Sequence, residues 1–181
     1  MEKKLVTPGI SYLVLGGAKS GKSGHAQKLA ELLPPPRLFI ATAQALDDEM
    51  KKKIEIHKKQ RGEGWQTIEE PLEISKIIKK NSKTFSVILL DCITLWITNL
   101  LLMKNLKQED FEFHLKELTD AIIMAPSSVI VVSNEVGMGI VPESSLSRRF
   151  REFAGLANQH IARAVDKVVL CVAGFPLYLK E

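Results

Sequence analysis

The sequence contains one short segment whose residues have the spacing of a phosphate-binding loop. Residues 16–23 read Gly-Gly-Ala-Lys-Ser-Gly-Lys-Ser and match the pattern G-x-x-x-x-G-K-[ST] throughout. The glycines allow backbone N–H groups to turn toward phosphate oxygens, Lys22 can reach the β- and γ-phosphates, and the Ser23 hydroxyl can bind Mg²⁺. We therefore predict a nucleoside triphosphate site with Lys22 as a catalytic residue. The predicted phosphate contacts are Gly16, Gly17, Ala18, Lys19, Ser20, Gly21, Lys22 and Ser23.

Asp91 provides the carboxylate that this chemistry requires. It follows the apolar run 87–90, which is typical of a buried parallel strand. A strand that ends in aspartate beside the strand of the phosphate loop places the acid near the metal. The same pattern occurs at many strand ends, so the interpretation depends on the phosphate loop. Ser23 and Asp91 together are the predicted Mg²⁺ ligands.

The positive charge of the chain is concentrated in one stretch. The net charge is +4, yet residues 51–61 contain six basic residues and one acid, a net of +5, so the rest of the chain sums to −1. A local cluster favours a compact polyanion such as a nucleotide over a long nucleic-acid backbone. A solvated, lysine-rich helix face is the alternative explanation.

His57 lies in the middle of this basic stretch. In a helix, Met50, Ile54, His57 and Arg61 fall on one face, so that His57 and Arg61 can extend beyond the part that packs on the body. The flanking lysines lower the pKa of the imidazole, which keeps a nitrogen lone pair available near neutral pH for attack on phosphorus. The residues alone leave open a surface role for His57. We expect surface or packing roles for His25, His114 and His160.

Alternating strands and helices must position these groups. Apolar runs predict strands at residues 12–15, 38–41, 65–68, 87–91, 129–132, 168–172 and 177–179. Helices are predicted over residues 22–33, 47–62, 71–80, 93–103, 109–124 and 144–164. This alternation indicates an α/β fold with right-handed crossovers and a mainly parallel sheet covered by helices on both faces. Residues 1–10 are expected to form a flexible leader, and residues 11–181 a single domain.

Composition excludes several classes of protein. With 45% hydrophobic and 25% charged residues, the chain is neither disordered nor fibrous. Its two cysteines, Cys92 and Cys171, are far apart, which argues against a disulfide framework or a cysteine zinc site and fits a reducing compartment. The apolar stretch 93–103 is too short to span a bilayer, and no secretory signal is visible. We therefore expect a cytoplasmic protein.

Several segments together carry a family resemblance. Besides the phosphate loop they are Ile40-Ala41-Thr42-Ala43, Asp47-Asp48-Glu49-Met50, His57-Lys58-x-x-Arg61, Trp65-x-Thr67-x-Glu69, Asp91-Cys92-Ile93-Thr94-Leu95-Trp96 with Asn99-Leu100-Leu101, Ser133-Asn134-Glu135-Val136-Gly137-Met138-Gly139-Ile140-Val141-Pro142-Glu143, and Arg148-x-Phe150-Arg151-x-x-x-Gly155-x-x-Asn158-Gln159. In these segments the chain resembles the bifunctional adenosylcobinamide kinase/adenosylcobinamide-phosphate guanylyltransferase family of cobalamin nucleotide-loop assembly.

The resemblance implies two reactions and a set of site residues. A nucleoside triphosphate phosphorylates adenosylcobinamide; then GTP guanylylates a histidine, which passes GMP to adenosylcobinamide phosphate and gives adenosylcobinamide-GDP. It implies GTP and ATP as substrates with Mg²⁺, a corrinoid acceptor, a RecA-like sheet, and a homotrimer from which the basic helix projects. The family's nucleophile falls on His57. Its further nucleotide contacts fall on Thr42, Ala43, Lys58, Lys59, Gln60, Arg61, Glu69 and Asp91.

Two other functions are alternatives to this one. The first is a small-molecule kinase with the same phosphate loop, in which His57 is only a surface residue. The second is a nucleotide-dependent switch or a nucleic-acid ATPase. The slightly acidic balance outside residues 51–61, and the lack of basic stripes interleaved with aromatic residues, disfavour the second and any nucleic-acid partner.

Overall fold

In the computed structural model, which describes residues 9–44, 62–104 and 106–181, a single sheet carries the predicted strands. The predicted helix over residues 47–62 lies, except for Gly62, outside the described residues. The elements are β1 (Tyr12–Gly16), α1 (Lys22–Glu31), β2 (Arg37–Ala41), β3 (Trp65–Glu69), α2 (Ile74–Asn81), β4 (Val87–Asp91), α3 (Ile93–Lys104), α4 (Gln108–Ile123), β5 (Ser128–Asn134), α5 (Ser145–Ala164), β6 (Lys167–Val172) and β7 (Phe175–Lys180).

The sheet is parallel except at one edge. Its strand order is β3-β2-β4-β5-β1-β6-β7, and only β7 runs antiparallel to its neighbour. The carboxyl ends of β2, β4, β5 and β1 therefore meet along one edge, which is where parallel α/β sheets bind ligands. The predicted mainly parallel sheet is confirmed, and the structure adds that β1 lies between β5 and β6.

Helices cover both faces of this sheet, as predicted. Along β1, Tyr12 and Val14 pack against α1, whereas Leu13 and Leu15 pack in the larger core that includes α2 to α5. This division follows from the alternation of side chains along a strand. In the larger core, the ring of Phe111 stacks on that of Phe153 with 4.2 Å between centroids and 2° between planes.

Two predicted helix boundaries were wrong by two residues or more. Helix α1 ends at Glu31 rather than Leu33 because the N–H groups of Leu32 and Leu33 bond three residues back, to Leu29 and Ala30, in a tight turn before the prolines. Helix α2 begins at Ile74 rather than Pro71. The Glu70 carboxylate accepts the N–H groups of Leu72 and Glu73 at 2.9 Å, and this turn occupies the segment that we had predicted as the first helical turn.

The last two residues of the predicted leader contact the body. The Gly9 N–H donates to Ser128 Oγ at 3.1 Å, and Ile10 packs against the core on the α1 face. Next to them, the Asp166 carboxylate accepts both the N–H and the hydroxyl of Ser11 at 2.7 Å. The hydrogen bonds from Ser11, first the hydroxyl and then the N–H, lower the pKa of Asp166. Residues 1–8 lie outside the described part of the chain.

Gly155 is an unusual residue for the middle of α5. Glycine inside a helix is less favourable than alanine by about 0.5–1 kcal/mol, because its backbone loses more freedom on folding. A Cβ built on Gly155 meets no atom within 4 Å, so the packing of the described chain does not require glycine there.

Within the described ranges, no helix combines the length and the apolar character needed to cross a membrane.

Candidate active site

The phosphate loop connects the end of β1 to the start of α1, as the motif predicts. Gly16 has φ 157°, and a Cβ there would lie 2.4 Å from Ser20 Oγ and 2.7 Å from the carbonyl oxygen of Cys171. Lys19 and Gly21 adopt left-handed φ values of 58° and 91°. This backbone, together with the N-terminus of α1, forms a concave set of N–H groups suited to phosphate oxygens.

Lys22 lies across this loop. Its Nζ donates a hydrogen bond to the carbonyl oxygen of Gly17 at 3.2 Å. Burial raises the pKa of the Cys92 thiol; the Asp91 charge raises it further, whereas Lys22 lowers it. Burial also raises the pKa of Cys171, and Lys22 opposes this shift too. Lys22 and Asp91 therefore both lie within electrostatic range of Cys92, at the same edge of the sheet.

Residues far from the motif hold the loop from outside. The N–H of Gly174, in the turn between β6 and β7, donates to the carbonyl oxygen of Ser20 at 2.9 Å. A Cβ on Gly21 would lie 3.1 Å from Gly174 Cα, so the two backbones are in close contact. On the other side, the N–H of Glu135 donates to Gly16 at 3.2 Å. The role of Gly174 was not predicted from the sequence, where the signal for it is the Ala173-Gly174 pair between two apolar runs.

Thr42 is fully buried and fixes the backbone that follows β4. Its hydroxyl donates to the carbonyl oxygen of Cys92 at 2.7 Å and accepts the N–H of Cys92 at 2.8 Å. Its own N–H donates to the carbonyl oxygen of Asp91 at 3.3 Å, and the Asn99 side chain donates to its carbonyl oxygen at 2.8 Å. The Thr42 hydroxyl and N–H therefore hold Cys92 and Asp91 in place, and the nucleotide contact predicted for Thr42 stays a prediction. Ala43 follows and is partly exposed.

A chain of polar side chains continues from Cys92 across the sheet edge. Cys92 Sγ lies 3.1 Å from Thr94 Oγ1, which also accepts a hydrogen bond from Asn134 Nδ2 at 2.9 Å. Asn158 Nδ2 donates to the carbonyl oxygen of Asn134 at 3.3 Å. The ends of β2, β4 and β5 are thus tied to α3 and α5 through side chains.

The predicted metal ligands fit Mg²⁺ by their chemistry. Ser23, in the first turn of α1, and Asp91, the last residue of β4, are both partly exposed. Mg²⁺ is usually bound by one or two protein oxygens together with phosphates and waters, not by a cage of protein ligands. Among the described residues there is no group of three or more His, Cys, Asp or Glu that could hold a metal.

The described part of the chain brings one half of the predicted site together. The phosphate loop, Thr42, Ala43, Glu69 and Asp91 lie along one sheet edge, where Glu69 and Asp91 both stand in register with Ala41. Glu69 is exposed, and it interacts with other groups of the protein. The other predicted residues, His57, Lys58, Lys59, Gln60 and Arg61, lie outside the described residues.

Comparison with known proteins adds the family. A family model described as cobinamide kinase / cobinamide phosphate guanyltransferase matches residues 12–179. The chain is 42% identical to the bifunctional adenosylcobalamin biosynthesis protein CobP of Pseudomonas aeruginosa, over 93% of this chain and 96% of that protein. It is 41% identical to the bifunctional adenosylcobalamin biosynthesis protein CobU of Escherichia coli, over 93% of this chain and 98% of that protein. The identity and both coverages are the same for the CobU protein of Salmonella typhimurium.

Solved structures support the fold. A KaiC-like protein of Pyrococcus horikoshii superposes with a TM-score of 0.51 at 13% identity, covering 90% of this chain and 71% of that one. The flagellar accessory protein FlaH of Methanocaldococcus jannaschii superposes with a TM-score of 0.52 at 16% identity, covering 97% and 80%. At these identities the likeness concerns the fold alone, and it confirms the predicted RecA-like sheet.

Proposed function

Because the chain belongs to the cobinamide kinase / cobinamide phosphate guanyltransferase family, we propose that both family reactions use the one phosphate loop at the end of β1. The chain is a bifunctional enzyme that acts as a kinase and as a guanyltransferase in adenosylcobalamin biosynthesis. The observation that carries the proposal is the loop geometry, in which Lys22, the N-terminus of α1 and Asp91 converge on one edge of the sheet. We propose adenosylcobinamide and its phosphate as the acceptors.

In the kinase step, the side-chain hydroxyl of the corrinoid attacks the γ-phosphorus of ATP or GTP. The bond from that phosphorus to the bridging oxygen breaks, the nucleoside diphosphate leaves, and the hydroxyl proton passes to solvent. Lys22 and the N–H groups of residues 16–23 stabilise the negative charge on the phosphate oxygens. Ser23 and Asp91 would hold Mg²⁺, which would neutralise part of that charge. Phosphoryl transfer requires little beyond positioning and charge stabilisation, which these groups provide.

In the guanylyl step, we propose that an uncharged nitrogen of His57 attacks the α-phosphorus of GTP, and that pyrophosphate leaves. A phosphate oxygen of adenosylcobinamide phosphate then attacks the same phosphorus, which breaks the P–N bond, restores His57 and yields adenosylcobinamide-GDP. A loop that binds the β- and γ-phosphates leaves the α-phosphorus about one phosphate further out, so the nucleophile must come from beyond the loop. The proposed further nucleotide contacts are Thr42, Ala43, Lys58, Lys59, Gln60, Arg61, Glu69 and Asp91.

Labelling with GTP carrying a radioactive α-phosphate tests the histidine intermediate. We expect an acid-labile, base-stable label on the protein, since a P–N bond has that stability. His57→Ala should abolish the label and guanylyl transfer while phosphorylation of adenosylcobinamide is largely retained. His160→Ala, which removes a histidine of α5, should keep both reactions. Lys22→Ala should lose both.

Two results would contradict this assignment. An unlabelled wild-type protein with intact kinase activity would leave a kinase without a covalent intermediate, the alternative that the family match does not favour. Survival of either reaction in Lys22→Ala would mean that a second nucleotide site exists.

We further propose a homotrimer whose compartment is the cytoplasm. The apolar side chains of Met138, Ile140 and Val141, all exposed beyond β5, are suited to contact another subunit. Cys92 and Cys171 are both buried free thiols, which suits a reducing compartment. Light scattering on the eluting protein should give the mass of three chains, and a monomer mass would contradict the trimer.

A further inference from the structure

A groove of about 750 Å³ opens on the α5 side of the sheet, between α5 and strands β1, β6 and β7. Its apolar floor includes Leu15, Val168 and Leu179. Five polar or charged residues line the rest, namely Glu135, Asn158, Gln159, Arg163 and Lys180. An apolar concavity of this size with a few polar groups has the composition of a small-molecule site.

The groove reaches the phosphate loop. Leu15 directly precedes Gly16, the first residue of the loop. The Glu135 N–H is bonded to the Gly16 carbonyl oxygen at 3.2 Å, and the Glu135 carboxylate is held by the Gly137 N–H at 2.7 Å. A molecule in the groove would therefore have one end beside the residues that bind the transferred phosphate.

Gly155 lines this groove at the middle of α5. Alanine would suit the helix better, and a Cβ at this position would meet no protein atom within 4 Å. Neither helix stability nor packing among the described residues explains the glycine. Its lack of a side chain instead keeps the groove wide beside α5.

Asn158, one turn further along α5, has an unused acceptor. The residue is 7% exposed; its Nδ2 donates to the Asn134 carbonyl oxygen, and its Oδ1 is buried with no hydrogen-bond partner among the described residues. A buried carbonyl oxygen without a donor is unfavourable, so a ligand that supplies an N–H would stabilise it. The exposed Gln159 side chain beside it provides both a donor and an acceptor.

We propose that this groove is the acceptor site and binds the carboxamide-bearing edge of the corrinoid. This inference rests on the proposed function, which requires an apolar macrocycle rimmed by amide groups to approach the phosphate loop. The apolar floor of the groove would contact the apolar ring, and the side-chain amides of Asn158 and Gln159 would form hydrogen bonds with the carboxamides of the corrinoid. The end of the groove at Glu135 would direct the acceptor hydroxyl toward the phosphate loop. The volume suits one edge of the macrocycle with the arm that is phosphorylated.

Filling the groove from Gly155 tests the proposal. Gly155→Leu should weaken cobinamide binding, measured by equilibrium dialysis through the colour of the corrinoid, by at least about tenfold, which corresponds to about 1.4 kcal/mol. The KM for adenosylcobinamide should rise in parallel, whereas the KM for GTP and the labelling of the protein by α-labelled GTP should stay within twofold of wild type. Gly155→Ala, whose Cβ takes up only part of that space, should weaken corrinoid binding measurably but less than Gly155→Leu does. His160→Leu, which adds an apolar side chain to α5 outside the groove, should leave it unchanged.

The outcomes separate this proposal from the function on which it rests. If wild-type protein neither phosphorylates the corrinoid nor becomes labelled, the proposed function fails. If wild type is active and Gly155→Leu binds cobinamide equally well, only the groove assignment is overturned. It is also overturned if Gly155→Leu changes the oligomeric mass in light scattering, because the groove would then be a contact between subunits. A melting temperature for Gly155→Leu close to that of wild type excludes simple unfolding as the cause of weaker binding.

Discussion

Thr42→Val removes a buried hydroxyl while it nearly preserves the shape of the side chain. In the wild type that hydroxyl satisfies the N–H of Cys92 at 2.8 Å and donates to the Cys92 carbonyl oxygen at 2.7 Å. The Cys92 carbonyl oxygen also accepts the backbone N–H of Trp96 at 3.2 Å, so this oxygen keeps a hydrogen-bond partner in the variant. The Cys92 N–H loses its acceptor, the Thr42 hydroxyl, and becomes an unsatisfied buried donor.

The magnitude follows from this asymmetry. A buried donor left without a partner costs about 1–3 kcal/mol, and loss of the second hydrogen bond adds about 0.5–1 kcal/mol. Because the buried hydroxyl is itself removed, part of this is offset, and we expect a net loss of about 2 kcal/mol in the free energy of unfolding. Since Asp91 directly precedes Cys92, we also expect the Mg²⁺ concentration at half-maximal kinase rate to rise several-fold.

Urea denaturation at fixed protein concentration measures the first effect, and an Mg²⁺ titration of the kinase rate measures the second. Thr42→Ser is the matched control, because it keeps the hydroxyl and loses one methyl group. It should keep the wild-type Mg²⁺ requirement. The assigned role of the Thr42 hydroxyl is refuted if the free energy of unfolding of Thr42→Val lies within about 0.5 kcal/mol of the wild-type value and its Mg²⁺ requirement is unchanged.

Two further predictions concern the ends of β1. Gly16→Ala should abolish saturable binding of a fluorescent GTP analogue, because its Cβ would lie 2.7 Å from the Cys171 carbonyl oxygen. The control Gly24→Ala should fold as well as wild type, since its Cβ meets no atom of the described residues within 4 Å. Binding of the analogue by Gly16→Ala at wild-type affinity would contradict the loop geometry. The hydrogen bonds from Ser11 lower the pKa of Asp166 in the folded state. These bonds therefore stabilise the folded protein fully at pH values above 3.8, the ordinary aspartate pKa, and the stabilisation is lost as the pH falls through the folded-state pKa. Wild type should therefore melt at a higher temperature than Asp166→Asn at about pH 6, and this difference should become smaller below pH 3.8. A difference in melting temperature that does not change with pH would contradict the assigned contact between Asp166 and Ser11.

The parts of the fold and site that depend on neighbouring residues could be predicted from the sequence. The phosphate loop is recognisable because its spacing is local, and the β4 strand with Asp91 is recognisable because a buried parallel strand is a continuous apolar run. Contacts between distant residues could not be predicted. The pairing of Thr42 with Cys92 joins residues 50 positions apart, and the Gly174 contact with the loop depends on how β6 and β7 turn back.

The helix boundary errors have a similar origin. The turn before α2 forms because the Glu70 side chain competes for backbone N–H groups that a helix starting at Pro71 would place in its first turn. The position of Pro71 alone fits either arrangement, since proline is common both in turns and at helix starts. The assignment of His57 as nucleophile likewise came from the resemblance, because the basic residues around it are equally typical of a solvated helix face.

The central position of β1 has a consequence for how the enzyme is made. The strand that carries the phosphate loop is translated before both of its neighbours, β5 and β6, which begin at Ser128 and Lys167. During translation this strand has no partner on either side until β5 has emerged, and the Gly174 contact with the loop becomes possible later still. The nascent polypeptide therefore cannot complete its phosphate site until the turn between β6 and β7 has been made, and a truncation before that turn would damage the catalytic centre.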